Sequence, residues 1–311
     1  MNVVFFGTSA FAARVLRDLI HHHISIVAII TRPDKPKGRS LNLLPPPVKE
    51  EALKLALDIP IYQPTKASTP EFAEILKKYA PDLFVVVAYG EIIKTLLLDI
   101  PSKGCINVHA SLLPKYRGAS PIQRCLMHGE KETGITIMQM VLEMDAGDML
   151  SVVKTPITPE VTFGELDQRL SELATPALIK VIEQIESGTA QTTPQDHTQA
   201  TFTPKLTAGE EEIHWEKSAD ELHNLIRALS PFPGAWCFVQ IGPEKKRLKI
   251  KLSQVESSLH GKPGEVLSLS KQDLIVACGK GALRLIQVQL EGKRLMTIKE
   301  FLQGLHSPII F

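Results

Sequence analysis

The sequence predicts an α/β domain built on a mostly parallel sheet, followed by a small all-β barrel. Three observations carry this expectation. Apolar, β-branched runs alternate with helical patterns over residues 1–187, the signature of parallel strands with helices on both faces. Residues 188–206, GTAQTTPQDHTQATFTPKL, lose all apolar periodicity and read as a linker. Beyond them come short alternating strands punctuated by Gly, Pro and Lys turns, as in an antiparallel barrel.

Taken in order, NVVFF ends in GTS, after which Ala12, Val15, Leu16, Leu19 and Ile20 fall on one helical face. ISIVAII is a second strand. Thr69 is placed to cap, and Pro70 to open, a helix whose Phe72, Ile75, Leu76 and Tyr79 share a face. LFVVVA is apolar without interruption, as a strand buried on both sides requires. CINVH, GITIMQM and a short strand near DMLSVV follow, then a helix over 163–187 opened by the capping-box spacing of Thr162 and Glu165. Residues 1–187 therefore form a Rossmann-like domain. In residues 207–311, Ser218 and Glu221 cap a helix with an apolar face of Leu222, Leu225, Ile226 and Leu229. Five strands follow: AWCFVQI, RLKIKLS, GEVLSL, DLIVAC and ALRLIQVQL. An OB-type barrel is expected, a fold that often binds oligonucleotides.

The formal charge of +1 over 311 residues leaves no global field to recruit nucleic acid or membrane, so any such affinity must be local. The chain opens directly on a strand and carries no apolar run of membrane-spanning length, so a cytoplasmic protein without membrane contact is expected. The four cysteines, Cys105, Cys125, Cys237 and Cys278, are widely spaced and read as reduced, mostly buried thiols. His21, His22 and His23 at a helix end read as a solvated turn, and no metal is expected.

Chemistry concentrates in GCINVHASLLPKYRGASPIQ, residues 104–123. On an extended chain Asn107 and His109 point to one side and Val108 to the other. The carboxyl ends of parallel strands are where ligands bind. A carboxamide and an imidazole aimed at one point can stabilise an oxyanion forming on a carbonyl carbon. Such a histidine needs an acid beside it, and EMDAGDML offers Asp145 and Asp148. The pattern alone fits a satisfied core histidine beside a turn-forming asparagine equally well. There is no G-x-S-x-G elbow, H-E-x-x-H or Walker A loop, and FFGTSAF falls short of a dinucleotide fingerprint, which disfavours a dehydrogenase.

NVHASLLPKYRGASPIQ taken with GITIMQM and MDAGDML resembles the folate-dependent formyltransferases. The resemblance extends to TRPDKPKGRS and PPPVK within 31–49, to VVVAYGEII at 85–93 and to IRALSPFPGAW at 226–236. It implies a catalytic set of Asn107, His109 and Asp145, with Asn107 and a protonated His109 holding the oxyanion and Asp145 orienting the imidazole. It implies 10-formyltetrahydrofolate as co-substrate, seated along Ser111, Leu112, Leu113 and Pro114 with backbone help from Val87, Ala88, Tyr89 and Gly90. The acceptor it implies is the α-amine of initiator methionyl-tRNA. Nothing in the sequence demands a partner subunit, so a monomer is expected. Departures are Ala110 after the histidine, where the family commonly has glycine, and Ala146 in place of the threonine of DTGD. SLNLL also stands after the GR of the basic loop, where lysines are usual. The first two are expected to tune the pocket, and the third leaves the loop less cationic than in its relatives.

Two stretches suit a polynucleotide partner. Residues 31–50 form a long connection with Arg32, Lys35, Lys37, Arg39 and Lys49 against Asp34 and Glu50. The resemblance makes Arg39 its leading contact with the tRNA acceptor end, with Lys37 beside it. Residues 241–311 hold 12 Lys and Arg against 6 Asp and Glu. Within them Lys245, Lys246, Arg247, Lys249 and Lys251 cluster, and alternation puts Arg247, Lys249 and Lys251 on one face as a phosphate-binding stripe. A formyltransferase for an amino sugar or a glycinamide ribotide, or a formate-releasing hydrolase, would share the Asn-His-Asp chemistry and need neither stretch. An RNA-binding module without activity would not need the intact NVH and MDAGD segments.

Overall fold

The computed structural model describes residues 1–37, 42–55, 58–270 and 272–311. In chain order the strands and helices begin with β1 Val3–Gly7, α1 Ala10–His21, β2 Ile26–Ile30, β3 Lys35–Lys37, β4 Asn42–Leu44 and α2 Pro47–Lys54. They continue through β5 Ile61–Tyr62, α3 Pro70–Lys77, β6 Leu83–Val87, α4 Thr95–Leu98, β7 Cys105–His109 and β8 Arg117–Gly118. Next come α5 Pro121–Met127, β9 Glu132–Gln139, β10 Met149–Pro156, α6 Phe163–Ser187, β11 Phe202–Thr203 and α7 Ala219–Ala228. The last are β12 Ala235–Ile241, β13 Glu244–Glu256, β14 Val266–Leu269, β15 Leu274–Ala277, β16 Ala282–Leu290, β17 Met296–Thr297, α8 Ile298–Gln303 and β18 Ile309–Ile310. The chain divides into two units, Met1–Gly118 with Thr133–Thr155 and Asp167–Phe202, and Ala119–Glu132 with Pro156–Leu166 and Thr203–Phe311.

The first unit is built on a seven-stranded sheet in the order β10-β9-β7-β6-β1-β2-β5. β1 runs parallel to β2 and β6, and β6 to β7, while β9 is antiparallel to β7. Every residue of β1 and β6 is buried, which is why those strands are apolar without alternation. Ser9 caps α1 by accepting from the Ala12 N–H, and the helix buries Phe11, Ala12, Val15, Leu16 and Leu19. Leu16 and Leu19 are each fully buried, a gain of roughly 1.5–3 kcal/mol apiece. Thr69 caps α3 with Pro70 in its first turn, as the sequence predicts.

The stretch expected to be a linker is packed over much of its length. Met149 and Thr193 exchange two backbone hydrogen bonds of 2.8 Å, Gln195 is buried, and Thr201 accepts from the Arg117 N–H at 2.8 Å. Its Thr and Gln side chains serve as hydrogen-bond partners, a use that apolar periodicity does not register.

The second unit carries a nearly closed antiparallel barrel, with sheet order β14-β15-β16-β13-β12-β18 and β17 paired to β16. Its core gathers Leu222, Ile226, Leu248, Ile250, Leu274, Val276, Leu283 and Leu285. Ser218 and Glu221 close the capping box on α7. Alternation along β13 breaks where Ile250 pairs with Val288 and Leu252 with Gln287, leaving Lys251 as the extra residue of a bulge. Ile250 and Lys251 are consequently both buried. The four cysteines are buried, and burial pushes the thiols of Cys105, Cys237 and Cys278 up to about 12. Among the described residues no helix is long and apolar enough to cross a membrane.

Candidate active site

β7 is central to the site because its middle residue and its last point the same way. Asn107 and His109 share a side of the strand and Asp145 meets both. Asn107 Nδ2 donates to Asp145 Oδ1 at 3.3 Å, and His109 Nδ1 stands 3.6 Å from Asp145 Oδ2. The Gly118 N–H donates to the same Oδ2 at 2.7 Å. Of the two acids in the loop, it is Asp145 whose carboxylate reaches the site, whereas Asp148 lends its carbonyl to the Gln139 N–H.

The imidazole is only 5% exposed and is gripped from its far side, where Nε2 lies 2.8 Å from the Tyr116 carbonyl. A carbonyl only accepts, so Nε2 carries the hydrogen of that bond. The nitrogen left to face the site is Nδ1, beside Asp145. The expectation of an imidazole aimed at one point with Asn107 is thereby refined, since one ring nitrogen is held by a backbone carbonyl and the other is turned toward Asp145. Tyr116 and Asp145, the residues flanking the ring, both have positive φ, +62° and +51°. Left-handed backbone at non-glycine residues clusters at functional sites, where packing over-determines it. Gly147 follows for a steric reason: a Cβ there would lie 1.9 Å from the Gln139 carbonyl oxygen.

The eight positions expected to bind folate lie on two adjacent parallel strand ends, since Val87 of β6 is in register with Val108 of β7. Ala88 and Gly90 are exposed and left-handed, φ +44° and +86°, so backbone groups are presented there. Leu112 and Pro114 are half-buried. Val87, Tyr89, Ser111 and Leu113 are buried. The Ser111 hydroxyl donates to the Lys115 carbonyl, the Leu113 N–H to Thr136 Oγ1, and Tyr89 packs edge-on against Phe6. Buried contributions from those four are therefore to the shape of the turn. The pattern fits a ligand edge read by backbone groups at the C-terminal ends of strands.

Within the 31–50 connection β3 pairs antiparallel with β4, and the two strands make an arm. Its charge is smaller than the sequence count implies. Arg32 is paired with Glu91, and Lys49 donates to Asp34 at 2.9 Å and to Gln63 at 2.7 Å. Both cations therefore fasten the base of the arm. Arg39 and the Lys37 side chain lie outside the described residues.

On the barrel, the expected stripe of Arg247, Lys249 and Lys251 is interrupted. Lys251 is 8% exposed at the bulge, with Nζ donating to the carbonyls of Pro231 and Pro233. Lys249 also donates to Pro233 at 2.8 Å, and Lys246 pairs with Glu244. What remains is an aromatic-cation face. The Arg247 guanidinium sits 4.2 Å over the Trp236 ring and the Lys245 ammonium 4.5 Å over Phe238, whose ring is 41% exposed.

Sequence reasoning missed Arg117 and Gln195. Arg117 looks like a surface cation in KYRG yet is completely buried, and Gln195 lies in the stretch that reads as a linker. The one sequence signal was an arginine set between an aromatic, Tyr116, and a glycine, Gly118, in a turn following the site strand.

A Rossmann-like sheet that brings a carboxamide, an imidazole and a carboxylate together, with a C-terminal barrel, defines a class of group-transfer enzyme. Residues 1–182 match the family described as formyl transferase and residues 205–306 its C-terminal domain, and the chain belongs to the formyl transferase family. It is 50% identical over 305 residues to the methionyl-tRNA formyltransferase of Protochlamydia amoebophila (strain UWE25), covering 98% of this chain and 95% of the relative. It is 47% identical over 307 residues to that of Chlamydia pneumoniae, with the same two coverages. Among solved structures it is similar to WlaRD, a sugar 3N-formyl transferase determined in the presence of dTDP and 5-N-formyl-THF. That likeness has a TM-score of 0.67 at 19% identity, over 94% of this chain and 99% of that one, and concerns the fold.

Proposed function

We propose that this enzyme transfers the formyl group of 10-formyltetrahydrofolate to the α-amine of initiator methionyl-tRNA, giving N-formylmethionyl-tRNA. The observation that carries the reading is the meeting of Asn107, His109 and Asp145 at one strand end, in a chain whose relatives, matched over almost their full length, bear that activity in their names.

The neutral amine attacks the formyl carbon, and a C–N bond forms as the carbonyl π electrons move onto oxygen. Asn107 Nδ2 and His109 Nδ1–H donate to that oxyanion as donors already fixed in place by the fold. The Tyr116 carbonyl keeps the ring oriented through Nε2, and the Asp145 carboxylate stands beside Nδ1. Collapse of the intermediate re-forms the carbonyl and breaks the bond to folate N10. The attacking nitrogen loses one proton and N10 gains one, with Asp145 close enough to carry it. An aminoacyl ester lowers the basicity of its α-amine, so modest base assistance suffices.

Residues 1–187 supply this chemistry in our reading, and residues 207–311 hold the tRNA. The arm, with Lys37 and Arg39, approaches the acceptor end, while Lys246, Arg247 and Lys249 with Lys245 supply phosphate contacts that carry no sequence information. After Lys249 is tied to Pro233 and Lys246 to Glu244, Arg247 and Lys245 are the barrel cations best placed for that role.

The test is formyl transfer from 10-formyltetrahydrofolate to initiator methionyl-tRNA, to free methionine and to an amino sugar, with the product identified by mass spectrometry. Formylmethionine from the charged tRNA alone is expected. Formate release without a formylated acceptor would assign the site to hydrolysis instead.

A further inference from the structure

We infer that Gln195 is a positioning residue for Asp145, acting through the backbone of the loop that carries it; the inference rests on the role given to Asp145 above. Gln195 is 4% exposed, and its side chain makes four hydrogen bonds to oxygen and nitrogen partners, beside a longer contact of 3.9 Å from Nε2 to Met138 Sδ. Nε2 donates to the carbonyls of Asp145 at 2.9 Å and Gly147 at 2.7 Å, and Oε1 accepts from Arg117 Nε at 3.2 Å and Nη2 at 2.8 Å. A carboxamide has two N–H groups and one oxygen with two lone pairs, so its capacity is filled.

Arg117 completes the brace. Its side chain is wholly buried, Nη1 reaches Glu143 Oε1 at 3.3 Å, and the amide that follows it, on Gly118, donates to Asp145 Oδ2. The loop is thus held at Glu143, at both ends of Asp145 and at Gly147 by one pair of side chains and one adjoining amide. Such redundancy has a physical reason. A left-handed aspartate carries backbone strain and stays in place only if its surroundings over-determine it. A shift of about 1 Å in a catalytic group can lower a rate about 100-fold. Gln195→Glu preserves size and can still accept from Arg117, but it turns acceptor oxygens toward two carbonyls that require donors.

The experiment is steady-state transfer by the full chain to methionyl-tRNA, comparing wild type, Gln195→Glu, Asp145→Asn and the double variant, with thermal melting in parallel. Gln195→Glu is expected to lower kcat about tenfold or more while both KM values stay within about twofold. In the Asp145→Asn background it should add little, because the group it positions is already disabled. Wild-type kcat in Gln195→Glu, a loss confined to KM, or losses that multiply in the double variant would each overturn the inference. If Asp145→Asn alone keeps wild-type kcat, the role given to Asp145 fails and the inference falls with it; a low Asp145→Asn kcat beside an unaffected Gln195→Glu removes the inference only. Should melting show Gln195→Glu to be unfolded, Gln195→Asn, which keeps the amide one methylene short, is read by the same criteria.

Discussion

β7 and β13 both insert polar side chains into apolar strands, and only one of them keeps strict alternation. In β7, Asn107 and His109 share a side because nothing interrupts the period of two, and both meet Asp145. In β13 a bulge at Lys251 resets the period, so cations that look like one surface stripe are divided between surface and interior. Alternation is therefore a dependable guide for a short strand clamped between neighbours and a poor one across 13 residues on a curved barrel.

Breaking the β7 arrangement should have the largest effect. Asn107→Ala and His109→Ala are each expected to lower kcat about 100- to 1,000-fold, the usual loss for one oxyanion donor, with tRNA affinity measured by filter binding nearly unchanged. On the β13 side, Arg247→Ala and Lys245→Ala should each reduce the slope of log affinity against log salt by about 1, the contribution of one phosphate contact. Lys246→Ala, already paired with Glu244, should change it less. Equal slopes for all three would remove the division drawn along this strand.

The buried member of that strand makes a separate prediction. Burial lowers the Lys251 pKa to about 8 from 10.5, with the neighbouring Lys249 charge acting in the same direction. Between those values the unfolded chain holds a proton that the folded one has released, so wild-type stability should rise relative to Lys251→Met from about pH 8 to 10.5, by at most about 1.4 kcal/mol per pH unit. A neutral amine still donates two hydrogens, enough for the carbonyls of Pro231 and Pro233. Urea midpoints at pH 7.5 and 10 check this. The smallest effect belongs to Glu210, held at about 2 chiefly by Arg124, with Thr207 helping. Its folded pKa lies below the unfolded value, so the stabilisation is complete above about pH 4.5 and lost as pH falls toward 2. Glu210→Gln should lower the melting temperature slightly at pH 7, the pair being partly exposed and worth under about 1 kcal/mol, and not at all near pH 2.

The legibility of the sequence follows the same division. Strand and helix order, the caps at Thr69, Thr162 and Ser218 and the polar side of β7 were readable, because each depends on near neighbours in the chain. The burial of Arg117, the brace through Gln195 and the pairing of Arg32 with Glu91 were not, because each joins residues far apart in sequence through groups that look solvent-loving. Local cation counts misled for that reason, because they do not show which cations already hold a carboxylate or a backbone carbonyl.

The most direct measurement is single-turnover formyl transfer by Asp145→Asn with methionyl-tRNA affinity determined on the same preparation. The expected result is a transfer step slowed about 100-fold or more with the dissociation constant within about twofold of wild type. A transfer rate equal to wild type, or a loss of transfer matched by an equal loss of affinity in a folded protein, would contradict the assignment of chemistry to the end of β7.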